Sequence, residues 1–317
     1  METFAERHRH ISFLSALLLL AVAIAGCSTA NNAGLRRPAA TNATIPVGHL
    51  PIGIAVGDGS VWVANYRDGT VSRIDPQSRS VAATIRVGVH PKGIAVGADG
   101  SVWVILYDEG RVARIDPKTN TVAQVLPVGS SYVGIGEGAV WVTNEDEDTL
   151  SRIDPGSGRV TATVPVGHWP VGIAAGEGAV WVANYDDATV RRIDPKTNQV
   201  VGDSIAVGRR PGNIATGEGA VWVSNYDGNT VSRIDPSSNK VVATIKVGSH
   251  PTGITVANGA VWVANYSDGT ITHIDPKTNA VVGDPIAAGN QPVGIAAGAG
   301  GLWISLYGGA QVLRIEQ

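Results

Sequence analysis

The stretch "HWPVGIAAGEGAVWVANYDDATVRRIDP", His168–Pro195, returns in altered form along most of this 317-residue chain. Its tryptophan stands in a "VWV" or closely related triplet and recurs at intervals of 38 to 41 residues. The recurring residues are Trp62, Trp103, Trp141, Trp181, Trp222, Trp262 and Trp303. A near-constant period of this length indicates a repeat architecture, in which each unit buries its apolar faces against its neighbours.

Each repeat contains four short runs rich in Val, Ile and Thr, separated by Gly-x-Gly, Asn-Tyr-x-x-Gly and Asp-Pro turn clusters. Four strands in about 40 residues make one propeller blade, and a run such as "AVWVAN" is apolar on both faces, as in a strand between two sheets. The sequence therefore predicts an all-β fold, a seven-bladed β-propeller of four-stranded blades.

The two ends of the repeat region predict how the ring closes. The last copy stops at "QVLRIEQ", after its third strand, whereas "NATIPVG", Asn42–Gly48, matches the fourth-strand segment "VVATIKVG" of an earlier copy. We therefore expect the N-terminal strand to complete the last blade and remove the exposed sheet edges of an open array. The propeller is predicted to span residues 43–317.

The residues before the propeller predict a membrane anchor. Arg7 and Arg9 precede an apolar run, residues 11–25, that is too short to span a bilayer, and "IAGC" follows it. This pattern resembles a bacterial lipoprotein signal, although Glu2 and Glu6 dilute its positive start. The resemblance implies a signal peptide over residues 1–26, followed by a lipidated Cys27 and flexible tether over residues 27–42. The protein is then expected at the extracytoplasmic side of the cell envelope, on a periplasmic or cell-surface face.

Charge and cysteine content limit the partners. The formal net charge is −3, and it stays −3 when residues 1–26 are removed. No basic stripe is visible, so a nucleic-acid partner is not expected. Cys27 is the only cysteine, which excludes an internal disulfide. We expect a monomer that contacts the membrane through its lipid.

Chemical groups that recur in blade after blade are more suited to holding blades together than to a single reaction. The repeated "RIDP" motif could supply a ring of ion pairs and catalytic acids, but Asp-Pro also begins a tight turn. The repeated "GEG" and "GDG" could suggest phosphate loops, but they lack the following helix and fit hairpin turns. Both motifs are interpreted as scaffold.

The letters that change between repeats fall on one rim. Because strand direction alternates within a blade, the "NYxxG" loops and the interblade "GxxP" segments share a rim, which we call the variable rim. The third repeat departs most, with "SSYVGIGEG" where the fourth has "HWPVGIAAGEG". Its loop reads "NEDED", so that Glu145 replaces the tyrosine of the other six loops.

Several residues of the variable rim are candidates for a binding site. Glu145, Asp146 and Asp148 could hold Mg²⁺ or Ca²⁺ through carboxylate oxygens, or they could form a solvated acidic loop. Trp169 could be a stacking surface or could cover an apolar gap between blades. The complete set of predicted ligand-binding residues is Lys92, Tyr132, Glu145, His168, Trp169 and Arg209. The four rim histidines lie on different loops, so a shared zinc or copper site is not expected.

The segment "SHPTGITVANGAVWVANYSDGTITHIDP", Ser249–Pro276, resembles the seven-bladed propellers of the YVTN-repeat and virginiamycin B lyase-like superfamily. That resemblance implies a magnesium-dependent lyase that opens a cyclic depsipeptide by elimination, with a histidine directly after the interblade proline and glutamates on the channel rim. Here the place after the proline holds Ile52, Lys92, Val171, Gly212, Thr252 and Val293. Only Glu145, four residues after its tryptophan, matches an acidic residue of such an enzyme.

Two functions follow from these observations. The first is a membrane-anchored, non-enzymatic binding or scaffold protein that recognises a peptide, a glycan or another small envelope molecule. The alternative is a lyase of the streptogramin B lyase type, in which Glu145 would be catalytic. No cofactor is predicted other than Mg²⁺ or Ca²⁺ at the acidic loop.

Overall fold

The computed structural model describes residues 43–316. Thirty strands form seven antiparallel sheets, and the innermost strand of each sheet contacts the innermost strand of the next around a closed ring. The predicted seven-bladed propeller is therefore confirmed. The predicted signal peptide, Cys27 and tether lie outside the described residues. Within residues 43–316, no helix is long and apolar enough to cross a membrane.

The strands follow the repeats in chain order. The first three blades contain β2 (Pro51–Gly57), β3 (Ser60–Asn65), β4 (Thr70–Asp75) and β5 (Ser80–Arg86); β6 (Pro91–Val96), β7 (Val102–Leu106), β8 (Arg111–Asp116) and β9 (Thr121–Leu126); and β10 (Val133–Gly136), β11 (Ala139–Asn144), β12 (Thr149–Asp154) and β13 (Arg159–Pro165). A single 3₁₀ turn, Tyr107–Glu109, joins β7 to β8.

The fourth and sixth blades have an outermost strand in two pieces. The fourth and fifth blades contain β14 (Pro170–Gly176), β15 (Ala179–Asn184), β16 (Thr189–Asp194), β17 (Gln199–Val200) and β18 (Ile205–Ala206); and β19 (Pro211–Gly217), β20 (Ala220–Asn225), β21 (Thr230–Asp235) and β22 (Lys240–Lys246). The last two contain β23 (Pro251–Ala257), β24 (Ala260–Asn265), β25 (Thr270–Asp275), β26 (Ala280–Val281) and β27 (Ile286–Ala287); and β28 (Pro292–Gly298), β29 (Gly301–Leu306), β30 (Gln311–Glu316) and β1 (Ala43–Pro46).

The strand register places the loops on two rims. In the first blade, Pro51 pairs with Asn65 at one end of the sheet, and Gly57 pairs with Ser60 at the other. The interblade segments and the "NYxxG" loops therefore share the variable rim. The hairpin and Asp-Pro turns lie on the opposite rim, where Asp75 pairs with Ser80.

Most of the recurring "RIDP" arginines, together with Arg314 at the equivalent place in "RIEQ", join neighbouring blades. Each stacks on the tryptophan of its own blade, with the guanidinium carbon 5.0 to 5.7 Å from the ring centre. Three of them also donate to a proline carbonyl in the Asp-Pro turn of the following blade, at 2.6 to 3.1 Å: Arg73 to Pro117, Arg192 to Pro236, and Arg314 to Pro76. These contacts support the interpretation of the motif as scaffold.

The sixth blade differs from the others at this arginine position. His273 replaces the arginine and stacks on Trp262 with ring centres 4.4 Å apart. The following blade has no Asp-Pro turn, because its outermost strand is β1 from the other end of the propeller. An arginine in the sixth blade would therefore have no proline carbonyl to donate to, whereas Arg73 in the first blade donates to Pro117.

The strand β1 closes the ring as predicted. It pairs with β30 in the register Ala43 to Arg314 through Pro46 to Gln311. Ile45 is 2% exposed and packs in an apolar cluster that contains Val312 and Trp303. An ion pair between Arg79 and Glu316 links the first and last blades on the opposite rim.

The turn aspartates predict acid sensitivity. Backbone N–H groups, chiefly those of Lys196, Ser237 and Lys277, hold the pKa values of Asp194, Asp235 and Asp275 below the usual 3.8. A lowered carboxyl pKa in the folded state gives stability that is complete above the unfolded value and is lost as pH falls through the folded value. We therefore expect the melting temperature to fall below about pH 4.

A triple variant tests this source of acid sensitivity. Asp194→Asn, Asp235→Asn and Asp275→Asn together keep the side-chain oxygen that accepts from the turn but remove the titrating group. Thermal unfolding followed by circular dichroism should show a smaller loss of melting temperature in the variant than in the parent between about pH 5 and pH 3. Equal losses in the two proteins would contradict the assignment.

Candidate functional site

Six tyrosines occupy equivalent places on the variable rim, each directly after the second strand of its blade. They are Tyr66, Tyr107, Tyr185, Tyr226, Tyr266 and Tyr307, and we call them the tyrosine ring. Ring centres are 6.5 Å apart both between Tyr66 and Tyr107 and between Tyr266 and Tyr307. Burial raises the pKa of all six hydroxyls, that of Tyr66 to about 12. Glu145 takes the seventh place and interrupts this aromatic series with a carboxylate.

The interblade loops hold the tyrosine ring through a repeated backbone contact. In six blades the residue before the inner-strand proline has a positive φ of 49 to 56°, and its carbonyl accepts from the N–H of the ring tyrosine in the same blade at 2.9 to 3.1 Å. These residues are Leu50, His90, Trp169, Arg210, His250 and Gln291. The residues that differ between repeats therefore vary the side chains of these loops, while the backbone conformation stays the same.

The third blade replaces this contact with a side chain. Its two missing residues are the exchanged interblade pair, and the Ser130 hydroxyl accepts from the N–H of Glu145 at 2.8 Å in place of the absent carbonyl. Val133 pairs with Val142 as Ile94 pairs with Val104 in the second blade. Ser130 and Ser131 consequently occupy the places that Pro91 and Lys92 hold in the second blade.

The shortened loop moves Tyr132 from the rim into the channel wall. The N–H groups of Tyr132, Asn213 and Gly294 each donate to a strand hydroxyl at 2.8 to 3.1 Å, so these residues are equivalent. The other blades have glycine at this place. Tyr132 and Asn213 are the two polar residues among those lining the channel. The remaining lining residues are glycine, valine and isoleucine.

Lys92 lies at the centre of a compact polar cluster beside Tyr132. Its Nζ is 4.1 Å from the ring centre of Tyr107 and 5.3 Å from that of Tyr132. The same atom donates to Ser131 Oγ at 3.2 Å and lies 3.9 Å from Glu145 Oε2. Glu145 Oε1 accepts a hydrogen bond from the Tyr107 hydroxyl at 2.6 Å.

The cluster is withdrawn from solvent, with side-chain exposures of 16% for Lys92 and 5% for Glu145. Burial lowers the pKa of the Lys92 amine, while the charges of Glu145 and Asp108 oppose that shift. Burial also raises the pKa of Tyr132 to about 12. The site therefore places an amine with weakened basicity between two aromatic faces and one buried carboxylate.

Comparison with known proteins identifies the family. A sequence model described as the virginiamycin B lyase family matches residues 36–274, more than half of the chain. The chain belongs to this family. Among curated protein sequences, none matches it significantly.

Solved structures share the fold of this family member at low sequence identity. A streptogramin B lyase structure is 18% identical, with 87% of this chain and 97% of that chain covered and a TM-score of 0.76. A catalytically inactive histidine-to-alanine variant of virginiamycin B lyase from Staphylococcus aureus, with quinupristin, is 20% identical, covering 87% and 99%, with a TM-score of 0.73. Hydrazine synthase from Kuenenia stuttgartiensis is 14% identical, covering 84% and 96%, with a TM-score of 0.74. Such likeness establishes the fold and leaves the activity to be argued from the site.

No described blade of this family member has a histidine at the place directly after the interblade proline. The seven inner strands carry Ile52, Lys92, Ser131, Val171, Gly212, Thr252 and Val293 there. Among them, Lys92 alone carries an ionisable side chain. Lys92 thus occupies the place where the resemblance puts the lyase histidine.

The acidic loop does not fit a magnesium or calcium site. Glu145 turns towards Tyr107 and Lys92, whereas Asp148 accepts from the backbone N–H of Trp169 and pairs with His168. Within residues 43–316, no group of three or more His, Cys, Asp or Glu side chains is placed to hold a metal ion. The Lys92 ammonium already stands beside the Glu145 carboxylate, whereas these cations require several converging oxygens.

The other predicted rim residues, His168, Trp169 and Arg209, make separate contacts. His168 is exposed, and its Nδ1 is 2.7 Å from Asp148 Oδ2, which raises the pKa of the imidazole. Trp169 is half-buried and packs on the apolar cluster that contains Val171. Arg209 is exposed and donates to the Asp227 carbonyl at 3.1 Å. The structure therefore joins Lys92, Tyr132 and Glu145 directly and leaves Arg209 apart from them.

Sequence reasoning missed Tyr107 and Ser131 of the cluster, and Asn213 of the channel wall. Asn213 could have been noticed because "PGNIATG" has asparagine where most repeats have glycine. Ser131 could have been identified by aligning the third repeat from its strand rather than from its loop. Tyr107 had a weaker signal, because its loop "LYDEG" keeps the common tyrosine and changes only the residues around it.

Proposed function

We propose that this chain is a non-enzymatic binding protein of the bacterial cell envelope, which recognises a peptide, a glycan or another small envelope molecule at the mouth of its channel. One observation carries the proposal. The place of the lyase histidine holds Lys92, whose amine contacts Glu145 and two aromatic rings. A carboxylate and an amine engaged with each other in this way suit orientation of a ligand better than magnesium-dependent elimination.

The surroundings of the cluster support a binding role. Trp169 presents a half-exposed aromatic face near the third blade. Four members of the tyrosine ring add partly exposed aromatic surface on the same rim: Tyr66, Tyr185, Tyr226 and Tyr307. His168 and Arg209 add exposed polar groups on adjacent interblade loops. A concave apolar site with a few oriented polar groups is the usual form of a small-ligand site.

Trp169→Ala tests the location of the binding site. We expect it to weaken ligand binding by about 1–3 kcal/mol, because a truncated aromatic anchor loses stacking and burial together. Isothermal titration with a panel of short peptides, muropeptides and quinupristin measures the effect. Glu218→Gln on the opposite rim is the matched control and should leave affinity unchanged. If the control weakens binding and Trp169→Ala does not, the site lies on the other rim.

The proposed envelope location depends on Cys27. Replacing Cys27 with Ser removes the thiol that would carry the lipid, and the protein should move from the membrane fraction to the soluble fraction. Cell fractionation followed by immunoblotting measures the change. Ser28→Ala is a control for the neighbouring position and should remain in the membrane fraction. Unchanged fractionation of Cys27→Ser would contradict lipid anchoring.

A lyase-like activity is the second candidate, with Lys92 in the place of the histidine and Glu145 as the acidic residue. An amine of lowered pKa, 3.9 Å from a carboxylate, is a reasonable proton acceptor in an elimination. Incubation with quinupristin, with and without added Mg²⁺, followed by mass spectrometry, detects ring opening. Turnover that is lost in Lys92→Met and in Glu145→Gln would establish this candidate over simple binding.

A further inference from the structure

We propose that Lys92 captures carbonyl compounds at the channel mouth by forming a reversible imine with an aldehyde that carries an apolar substituent. This inference rests on the proposed binding function and deepens it by naming a ligand class. It is carried by the contacts of the Lys92 amine and by the composition of the adjacent channel, whose wall includes Tyr132.

Burial of the amine favours its nucleophilic, uncharged form, and this is the larger effect on its pKa. Two aromatic faces, those of Tyr107 and Tyr132, flank the Lys92 Nζ at 4.1 and 5.3 Å. The side chain is only 16% exposed. Desolvation of this kind raises the fraction of free amine near neutral pH, and activated lysines of Schiff-base chemistry are desolvated in the same way.

Glu145 is also placed to transfer protons to and from the reacting groups. Glu145 Oε2 is buried, lies 3.9 Å from the amine and has no hydrogen-bond partner among the described residues. Its other oxygen accepts from the Tyr107 hydroxyl at 2.6 Å, which fixes the carboxylate. Glu145 can therefore receive a proton from the Lys92 ammonium and return it to an oxygen that forms at the same place.

The chemical step is balanced without an added oxidant or reductant. The neutral amine attacks the carbonyl carbon, a C–N bond forms as the carbonyl π bond opens, and a proton moves from nitrogen to oxygen to give a carbinolamine. Glu145 in its protonated form then protonates the hydroxyl, the C–O bond breaks and water leaves. The product is a protonated imine, and addition of water reverses the reaction.

The channel determines which carbonyl compounds fit. Apart from Tyr132 and Asn213, the lining residues are glycine, valine and isoleucine, so the part of the ligand that enters the channel is apolar. An aromatic or aliphatic aldehyde, with the carbonyl directed to Lys92 and the substituent in the channel, satisfies both regions.

The experiment uses the purified full chain, benzaldehyde and sodium cyanoborohydride, which reduces any imine to a stable secondary amine. Peptide mass mapping then measures the rate at each lysine. The chain has six lysines, and the other five, Lys118, Lys196, Lys240, Lys246 and Lys277, are exposed and serve as internal controls. We expect Lys92 to be labelled faster than every control lysine, because burial lowers the pKa of its amine and so raises the fraction of free amine.

Two variants and a second probe separate chemistry from structure. Glu145→Gln should slow labelling of Lys92 by about tenfold or more, because it removes the proton carrier. Lys92→Arg keeps the positive charge beside Glu145, and it should abolish tight retention of benzaldehyde while leaving weak binding of benzyl alcohol, which cannot form an imine. Thermal melting confirms that each variant is folded.

The outcomes distinguish this inference from the proposed function. Labelling of Lys92 at the rate of the exposed lysines, or slower, overturns the imine. If rim ligands then still bind in a Trp169-dependent manner, the proposed binding function stands without it. If Lys92 is labelled selectively but no ligand binds in a Trp169-dependent manner, the imine chemistry is supported and the proposed binding site on the variable rim is wrong.

Discussion

Deletion of Thr44–Val47 is expected to lower the melting temperature of the propeller more than any single surface substitution. The deletion removes nearly all of β1, including its hydrogen bonds to β30 and the packing of Ile45 against the last blade. Burial of one isoleucine side chain contributes about 1.5–3 kcal/mol. The last blade also gains an open sheet edge, so we expect loss of cooperativity and a tendency to associate.

Point variants of the same strand provide a matched control. Ile45→Ala should destabilise the protein by about 2–5 kcal/mol, because it leaves a cavity at a side chain that is 2% exposed. Thr44→Ala, at the exposed neighbouring position, should change the free energy of unfolding by less than about 0.5 kcal/mol. Urea unfolding measures both. A truncated chain that melts with the parent would show that β1 does not hold the ring.

Lys92→Met is expected to be the most destabilising substitution at the channel mouth. It leaves the Glu145 carboxylate, 5% exposed, without the ammonium that stands 3.9 Å away. Removal of one partner of a buried ion pair costs about 3–5 kcal/mol, because the remaining charge stays desolvated. Urea unfolding near neutral pH measures this loss.

Glu145→Gln is the matched control for the same pair. It should cost less than Lys92→Met, because the Lys92 amine, whose pKa burial already lowers, can lose its proton. The double variant Lys92→Met with Glu145→Gln should recover part of the stability lost in the single lysine variant. A double-mutant cycle in which the two single effects simply add would contradict coupling between these side chains.

The propeller could be predicted from sequence because its determinants recur. Seven tryptophans set the number of blades, and the match between "NATIPVG" and "VVATIKVG" predicted that β1 completes the last blade. The same strand and turn pattern occurs in seven repeats, so an ambiguous assignment in one repeat can be resolved by comparison with the others. Strand alternation alone then separated the variable rim from the opposite rim.

The candidate site was predicted less completely, because it depends on exceptions to the repeat. Lys92, Tyr132 and Glu145 were identified as rim residues, but the two missing residues of the third blade place Tyr132 in the channel wall. The position of a deletion within a loop cannot be fixed by counting residues. The hydrogen bonds of Tyr107 to Glu145 and of Asn213 to Thr252 also cross between blades, and such contacts have no short-range signal in the chain.

Ring closure by β1 constrains the order in which the strands of the propeller can pair during folding. Six blades are built from hairpins whose partners lie within one repeat, and such local contacts form quickly. The pairing of Thr44 with Leu313 joins opposite ends of the propeller and must wait until the intervening blades have brought them together. The entropic cost of closing so long a loop grows only logarithmically with its length. The strand that is synthesised first among those of the propeller is therefore the last to find its partner.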